Sequence, residues 1–506
     1  MRVATPFVEP RKDDERFRME RRYRMMIGGK SVEARSGEVL TRESPAYEGL
    51  IVSVIPKGAR EDTEAAIASA RQAFDSGPWP KMSGTERARI LNRVADALDA
   101  HREELATIET LEIGKAISKS RAEIAYSAEL WRFAAGLSRA LEGETHNTLG
   151  DREIGLVLRE PIGVVGLVTP WNYPLLIASE RLPWALGAGC TVIIKPSEFT
   201  SGSTVRVAEL ARDAGLPDGV LNVVTGYGDP VGQTLAEDPR TDFVGFTGSS
   251  RVGQLVGGLA GSRIKRVGLE LGGKGPVVVF ADADMDDAAD NIARSAFGDA
   301  GQACVAGSRL IIEAKAHDKM IDRLASIAGR ITHGDPLNDA VKVGSLIHRP
   351  HLEKVERYVG EGRRDRATLA FGGRRLGNAG NYYSPTLFAD VQPEMSIFRD
   401  EIFGPVLSVT RFDSAEDAVA LANDTAYGLS ASVWSRDLSK ATQAIRQIRA
   451  GRTSINGGGG SPALPIGGYK QSGVGRELGR HGFDEYSEFK SVAVGLRPGS
   501  PWVPLA

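Results

Sequence analysis

Short apolar runs alternate with amphipathic stretches through the middle of the chain, and the two differ in period. Residues 163–168, 190–194, 220–224, 242–246 and 267–271 are continuous β-rich runs, the length of strands buried on both faces. Between them, 173–186, 204–213, 230–236 and 252–259 carry helical spacing. Strand and helix in strict alternation predict βαβ units and a parallel sheet. A second series opens at Pro276-Val277-Val278-Val279-Phe280 and passes through a helix over 285–295 into a loop of small residues. The alternation then resumes to about residue 440. Upstream, 59–140 reads as mostly helical: Ser83-Gly84-Thr85-Glu86 is a capping box, and Ile90, Leu91, Val94 and Leu98 follow on one helix face. Residues 457–460, four consecutive glycines, predict a loop with little intrinsic order, and 491–496 a last strand.

Length and charge narrow the class. A chain of 506 residues exceeds a single core, so two or three folding units are expected. The net charge of −2, from 63 basic and 65 acidic residues, gives no electrostatic reason to expect nucleic acid or an anionic membrane as partner. No run approaches the ~20 apolar residues of a membrane span. Two cysteines build no disulfide framework and no secretory signal opens the chain, so a reducing cytoplasm is the expected compartment. In residues 1–25, Glu9, Asp13, Asp14, Glu15 and Glu20 lie among the arginines, which predicts a mixed-charge, partly disordered leader. No metal site is expected from the seven histidines; the closest pair, in His348-Arg349-Pro350-His351, reads as a surface loop before a helix.

Candidate chemistry sits where strands end. In Phe246-Thr247-Gly248-Ser249-Ser250-Arg251-Val252-Gly253 a strand turns into a helix, and free N–H groups at the helix start can donate to phosphate. Gly226-Tyr227-Gly228-Asp229-Pro230-Val231-Gly232 imitates a dinucleotide fingerprint but has one residue too many, and reads as a turn into a short helix. Lys195 and Glu198 follow the strand at 190–194, where ligands of open parallel sheets bind; a solvated loop with a local ion pair is the alternative. Cys190 opens an apolar strand and reads as a small buried hydrophobe. Cys304, in Gly301-Gln302-Ala303-Cys304-Val305-Ala306-Gly307-Ser308-Arg309, has no apolar stripe around it and is a candidate nucleophile. Glu270 interrupts apolar residues at a strand end before Gly272-Gly273. It is either a general base with a raised pKa or a carboxylate held by a structural bond.

Taken in order, these segments resemble the NAD(P)-dependent aldehyde dehydrogenase superfamily from about residue 25 to residue 495. The resemblance rests on Thr169-Pro170-Trp171-Asn172-Tyr173-Pro174, Lys195-Pro196-Ser197-Glu198, Phe246-Thr247-Gly248-Ser249, Leu269-Glu270-Leu271-Gly272-Gly273-Lys274 and Gly301-Gln302-Ala303-Cys304. It continues through Glu401-Ile402-Phe403-Gly404-Pro405-Val406, Asn423-Asp424-Thr425-Ala426-Tyr427-Gly428-Leu429 and Pro465-Ile466-Gly467-Gly468-Tyr469-Lys470-Gln471-Ser472-Gly473. It implies an α/β protein: a Rossmann-like coenzyme domain (1–138 with 162–272), an α/β catalytic domain (273–486) and a small β oligomerisation arm (139–161 with 487–506). It also implies roles. Cys304 attacks the aldehyde, Asn172 and the cysteine N–H stabilise the oxyanion, and Glu270 activates the water that hydrolyses the thioester. Glu477 takes part in proton relay. Lys195 and Glu198 hold the adenosine ribose, Gly248 and Ser249 the pyrophosphate, and Glu401 and Phe403 the nicotinamide ribose and ring. Trp171 and Leu271 also face the cofactor, while Tyr173 and Glu180 line the substrate passage. NAD is expected over NADP because the Glu198 charge repels a 2′-phosphate. A small-molecule aldehyde is the expected partner, in a homodimer or homotetramer.

Two positions depart from the family pattern. Arg181 stands where a lysine linked to the relay is usual, and arginine does not shuttle protons at ordinary pH. Glu180 stands where many relatives carry an aromatic residue. Either it favours an aldehyde with a positive or strongly polar group, or it pairs with a nearby arginine. Two rival functions are a CoA-acylating relative, disfavoured by Glu270, and a catalytically silent nucleotide-binding scaffold, disfavoured by Asn172, Glu270 and Cys304 together. A phosphorylated substrate would need an arginine cluster, and none lies near Cys304 in sequence.

Overall fold

The computed structural model describes residues 5–18 and 21–496. The five apolar runs of the first series are all strands, lying in one sheet at Val164–Val168, Thr191–Lys195, Leu221–Val223, Phe243–Thr247 and Arg266–Glu270. They pair in parallel, with Val168 opposite Lys195 and Thr247 opposite Glu270. Val164–Val168 lies at the centre. The chain builds outward from it to Leu221–Val223 on one side, then returns to add Phe243–Thr247 and Arg266–Glu270 on the other. That reversal leaves a crevice beyond the carboxyl ends of Val164–Val168 and Phe243–Thr247, where open α/β sheets bind ligands. Antiparallel strands close both edges: Met25–Ile27 with Lys30–Val32 at one, and Gly473–Val474 at the other. The last comes from the segment 273–486, so the late chain is stitched into the first sheet beside Glu270.

The second series forms a seven-stranded sheet, parallel except for Thr368–Phe371. Pro276–Val279 is its first strand in the chain, and only the short link 271–275 separates it from Glu270. The carboxyl end of the first sheet therefore meets the amino end of the second. The helix Met285–Phe297, capped by the Asp284 carboxylate, crosses from Pro276–Val279 towards Arg309–Glu313, and the Cys304 loop lies on that crossing. The helices expected over 59–140 are present. Ser83 Oγ accepts from the Glu86 N–H at 3.3 Å, and the Glu86 carboxylate accepts from Ser83 N–H at 2.8 Å. They bury Trp131 and Leu91 against the helix Pro174–Ala188, which carries Glu180 and Arg181.

A third, antiparallel sheet joins Glu144–His146, Glu153–Pro161 and Ser487–Gly495; the last strand begins four residues earlier than the sequence predicts. Residues 497–506 of the expected arm lie outside the described residues. Of the leader, residues 1–4, 19 and 20 lie outside the described residues; within the rest, Phe7–Val8 pairs with His333–Gly334, and Phe7 packs edge-on against Tyr382, with ring centres 5.1 Å apart. Its apolar residues find partners that its charge pattern hides. His348 to His351 is no surface loop. His348 caps the helix Arg349–Arg364 by accepting from His351 N–H at 3.0 Å, and the His351 ring is buried. Among the described residues no helix is long and apolar enough to cross a membrane, and no cluster of metal-ligating side chains occurs.

Candidate active site

The segment from Glu270 to Lys274 joins the two sheets, and its glycines are dictated by what crosses it. A Cβ on Gly273 would lie 2.2 Å from the Cys304 carbonyl oxygen, and one on Gly272 would lie 2.5 Å from Glu401 Oε2. Only bare backbone lets the thiol loop and the Glu401 carboxylate approach. Gly273 N–H then donates to Glu401 Oε1 at 2.9 Å, fixing that carboxylate. On the loop itself Gly301 has φ +71°, and a Cβ there would lie 2.2 Å from the Gly404 carbonyl oxygen. The thiol loop is thus wedged between the strand end that carries Glu270 and the segment that carries Glu401 and Phe403.

Asn172 and Tyr173 lie between the strand Val164–Val168 and the helix Pro174–Ala188. Asn172 is buried, and its Nδ2 donates to the Gln302 carbonyl at 2.9 Å, two residues before Cys304. An amide nitrogen carries two protons, so this bond orients the group and leaves one proton to donate. The Asn172 carbonyl accepts from Lys115 Nζ at 2.8 Å, and Lys115 also pairs with Glu123 at 2.5 Å and lies 3.8 Å from the centre of the Tyr173 ring. Tyr173 in turn donates to Asp299 at 2.9 Å. Sequence reasoning misses the roles of Lys115, Glu123 and Gln302 because they act on Asn172 across 57 and 130 positions of the chain, and no local signal marks them.

Burial sets the proton affinities. The half-buried Cys304 thiol is pushed up to about 12, first by desolvation and then by the carboxylates of Glu401, Glu270 and Glu180. Glu270 is raised well above the usual carboxylate range, again by desolvation and then by Glu477; Arg181 opposes. Behind Glu270, Arg181 and Glu477 form a buried ion pair. The Arg181 guanidinium also donates to the Phe246 and Gly268 carbonyls at 3.4 Å each, so it is tied to two neighbouring strands. Arg181 therefore pairs with Glu477 and not with Glu180. Cys190 is fully buried, with its Sγ donating to the Tyr486 carbonyl.

The remaining predicted residues ring the crevice. Lys195 ends its strand, buried, with Nζ 3.4 Å from Glu198. Gly248 N–H donates to the Glu270 carbonyl at 3.0 Å, and Ser249 caps the helix Ser250–Gly261. Leu271 packs against that helix where Gly253 leaves room; a Cβ there would be 2.3 Å away. Trp171 meets Phe403 edge-on at 5.4 Å, and His351 Nε2 bonds the Phe403 carbonyl at 2.7 Å, bracing a residue with φ +61°. The buried hydroxyls of Thr169 and Thr247, at the two strand ends flanking the crevice, have no partner within the protein. Unsatisfied polar groups at a switch point, beside a helix amino terminus, fit a phosphate-bearing nucleotide.

Comparison with known proteins agrees with this geometry. The model of the Aldehyde dehydrogenase family matches residues 32–492. The chain is 41% identical to betaine aldehyde dehydrogenase of Bacillus subtilis (strain 168), over 94% of this chain and 98% of that one. It is also 41% identical to the NADP/NAD-dependent aldehyde dehydrogenase PuuC of Escherichia coli (strain K12), over 94% and 96%. A crystal structure of NAD-dependent aldehyde dehydrogenase from Sinorhizobium meliloti superposes with a TM-score of 0.96 at 57% identity, covering 98% of this chain and 99% of that chain.

Proposed function

The chain belongs to the aldehyde dehydrogenase family, and from that premise we propose that Cys304 carries the oxidation of a polar aldehyde to its acid with NAD as acceptor. The observation that supports this reading is the meeting of Cys304, Asn172 and Glu270 where the two sheets abut. Glu270, an acceptor of raised proton affinity, takes the thiol proton as Cys304 Sγ bonds to the carbonyl carbon. The spare Asn172 amide proton and the Cys304 N–H donate to the oxygen as it becomes an anion. Lys195, Glu198, Gly248, Ser249, Leu271, Trp171, Glu401 and Phe403 hold NAD, whose nicotinamide accepts the hydride when bound. A thioester then remains on Cys304. Glu270 releases the thiol proton to solvent and, ionised again, deprotonates the water that cleaves the thioester, which supports hydrolysis over transfer to CoA, and Glu477 adjusts Glu270 from behind. Glu198 disfavours the 2′-phosphate of NADP by charge. A working thiol supports a reducing, cytoplasmic setting, and the exposed antiparallel sheet supports a homodimer or homotetramer.

Steady-state NAD and NADP reduction over an aldehyde panel tests this. Wild type is expected to favour NAD, and Cys304→Ser to lose at least about 10³-fold in kcat with no acyl adduct trapped by mass spectrometry. Undiminished turnover by Cys304→Ser would end the reading.

A further inference from the structure

A cavity of about 600 Å³ opens beside the thiol loop, with Val305 and Gly307 in its wall. Glu180, which lies within electrostatic reach of Cys304 and Glu270, lines it, and so does Val305, the residue after Cys304, so the cavity adjoins the thiol loop. Two arginines line it as well: Arg294 from the helix Met285–Phe297 and Arg452 from the strand Arg452–Ile455. The sequence hides this pair because the residues belong to distant elements. Arg132, by contrast, is held by three carboxylates. Arg294 and Arg452 are exposed, and among the described residues neither has an ion pair or a side-chain hydrogen bond. Arg452 extends over the glycine loop, where a Cβ on Gly460 would lie 2.7 Å from its Nη2. The bare loop thus leaves room for the guanidinium to project into the cavity.

Glu180 is the single carboxylate among the described lining residues. Desolvation and the neighbouring Glu477 push it up to about 8, against the pull of Arg452 and Arg181. At neutral pH the permanent charge in the cavity is therefore that of two guanidiniums. A cationic aldehyde would meet both of them, with a largely protonated Glu180 as its only counterpart. We propose that the aldehyde taken by this site carries a carboxylate remote from its carbonyl, as in the semialdehyde of a dicarboxylic acid, and that Arg294 and Arg452 hold that carboxylate. Guanidinium forks match carboxylate geometry and stay charged throughout the working pH range. One negative charge suits the cavity better than the two of a phosphate, because Glu180 adds its own charge as pH rises. The inference rests on the Cys304 reading and specifies its substrate.

The test compares kcat/KM for 4-oxobutanoate, butanal, trimethylammonioacetaldehyde and glyceraldehyde 3-phosphate in the NAD-supplied full-length enzyme. Wild type is expected to prefer 4-oxobutanoate to butanal by at least about tenfold, and Arg452→Gln and Arg294→Gln each to shrink that ratio several-fold through KM. The KM for 4-oxobutanoate should rise above about pH 8 in wild type and stay level in Glu180→Gln. The groups facing Glu180 are Glu477, Arg181, Arg452, Tyr126, Cys304 and Glu270, so butanal measured over the same pH range isolates its contribution. Equal use of 4-oxobutanoate and butanal, preference for the cation or the phosphate, or an unchanged ratio in both arginine variants overturns the proposal while leaving Cys304 chemistry intact. Absence of turnover with every aldehyde overturns the Cys304 reading and this inference with it.

Discussion

Arg181 enters the site from beneath, next to Glu180 on the same helix, and its charge acts on Glu270 directly and through Glu477. A general base must be ionised to accept a proton, so under the proposed role of Glu270 the acid limb of the rate profile follows its pKa. Glu477→Gln removes a negative neighbour and leaves Arg181 unopposed, so Glu270 ionises more readily and the limb moves to lower pH. Arg181→Met removes the cation that favours ionised Glu270, so the limb moves to higher pH. It also strands Glu477 in the interior, with an expected loss of about 3–5 kcal/mol of stability. The kcat–pH profiles of both variants, with chemical denaturation alongside, check this; limbs that fail to move apart would remove Glu477 and Arg181 from any influence on the base. A lysine at 181 would restore a group able to give up a proton, whereas the arginine here acts as a fixed charge tied to two strands.

Glycine placement is what lets whole elements meet. Gly272 and Gly273 follow a strand end, brace a carboxylate and admit the thiol loop in one short link. Gly273→Ala puts a methyl group against the Cys304 carbonyl, which is backbone and cannot swing aside. The loop must shift, and a displacement near 1 Å costs about 10²-fold in rate. We expect kcat to fall by about that factor with a Tm change of only a few degrees, measured by initial rates and by thermal unfolding; retained kcat would contradict the wedge. At this scale the strands of the first series are legible to within a residue or two, because a strand buried on both faces needs an unbroken apolar run. The helix cap at His348 escapes the sequence for an equally physical reason. Histidine followed by Arg-Pro looks like a polar loop until Nδ1 is seen accepting from the helix N–H.

For the whole molecule, the antiparallel sheet is the feature without an internal explanation. Leu158, Phe489 and Val494 stand exposed on it, and Ser487–Gly495 is the longer of its two edge strands, with one side unpaired. Such an edge with apolar side chains invites a second copy. Phe489→Asp with Val494→Asp is expected to lower the mass measured by light scattering at micromolar concentration, with the far-UV spectrum preserved. An unchanged mass in the double variant would end the assignment of a subunit contact to this edge.

The order of strands and helices is a property of the sequence, because buried strands and tight turns require particular residues at local spacing, and the family is legible in its ordered motifs, whose resemblance is what singles out Asn172 beside Cys304 and Glu270. Which charges face one another is a property of the folded chain alone. Arg181 against Glu477, Lys115 beneath Asn172, and Arg294 with Arg452 around one cavity all join segments far apart along the backbone. Charged side chains carry no periodic signature of their partners. Their energies arise only once burial removes water, and only the tertiary structure decides where water is removed.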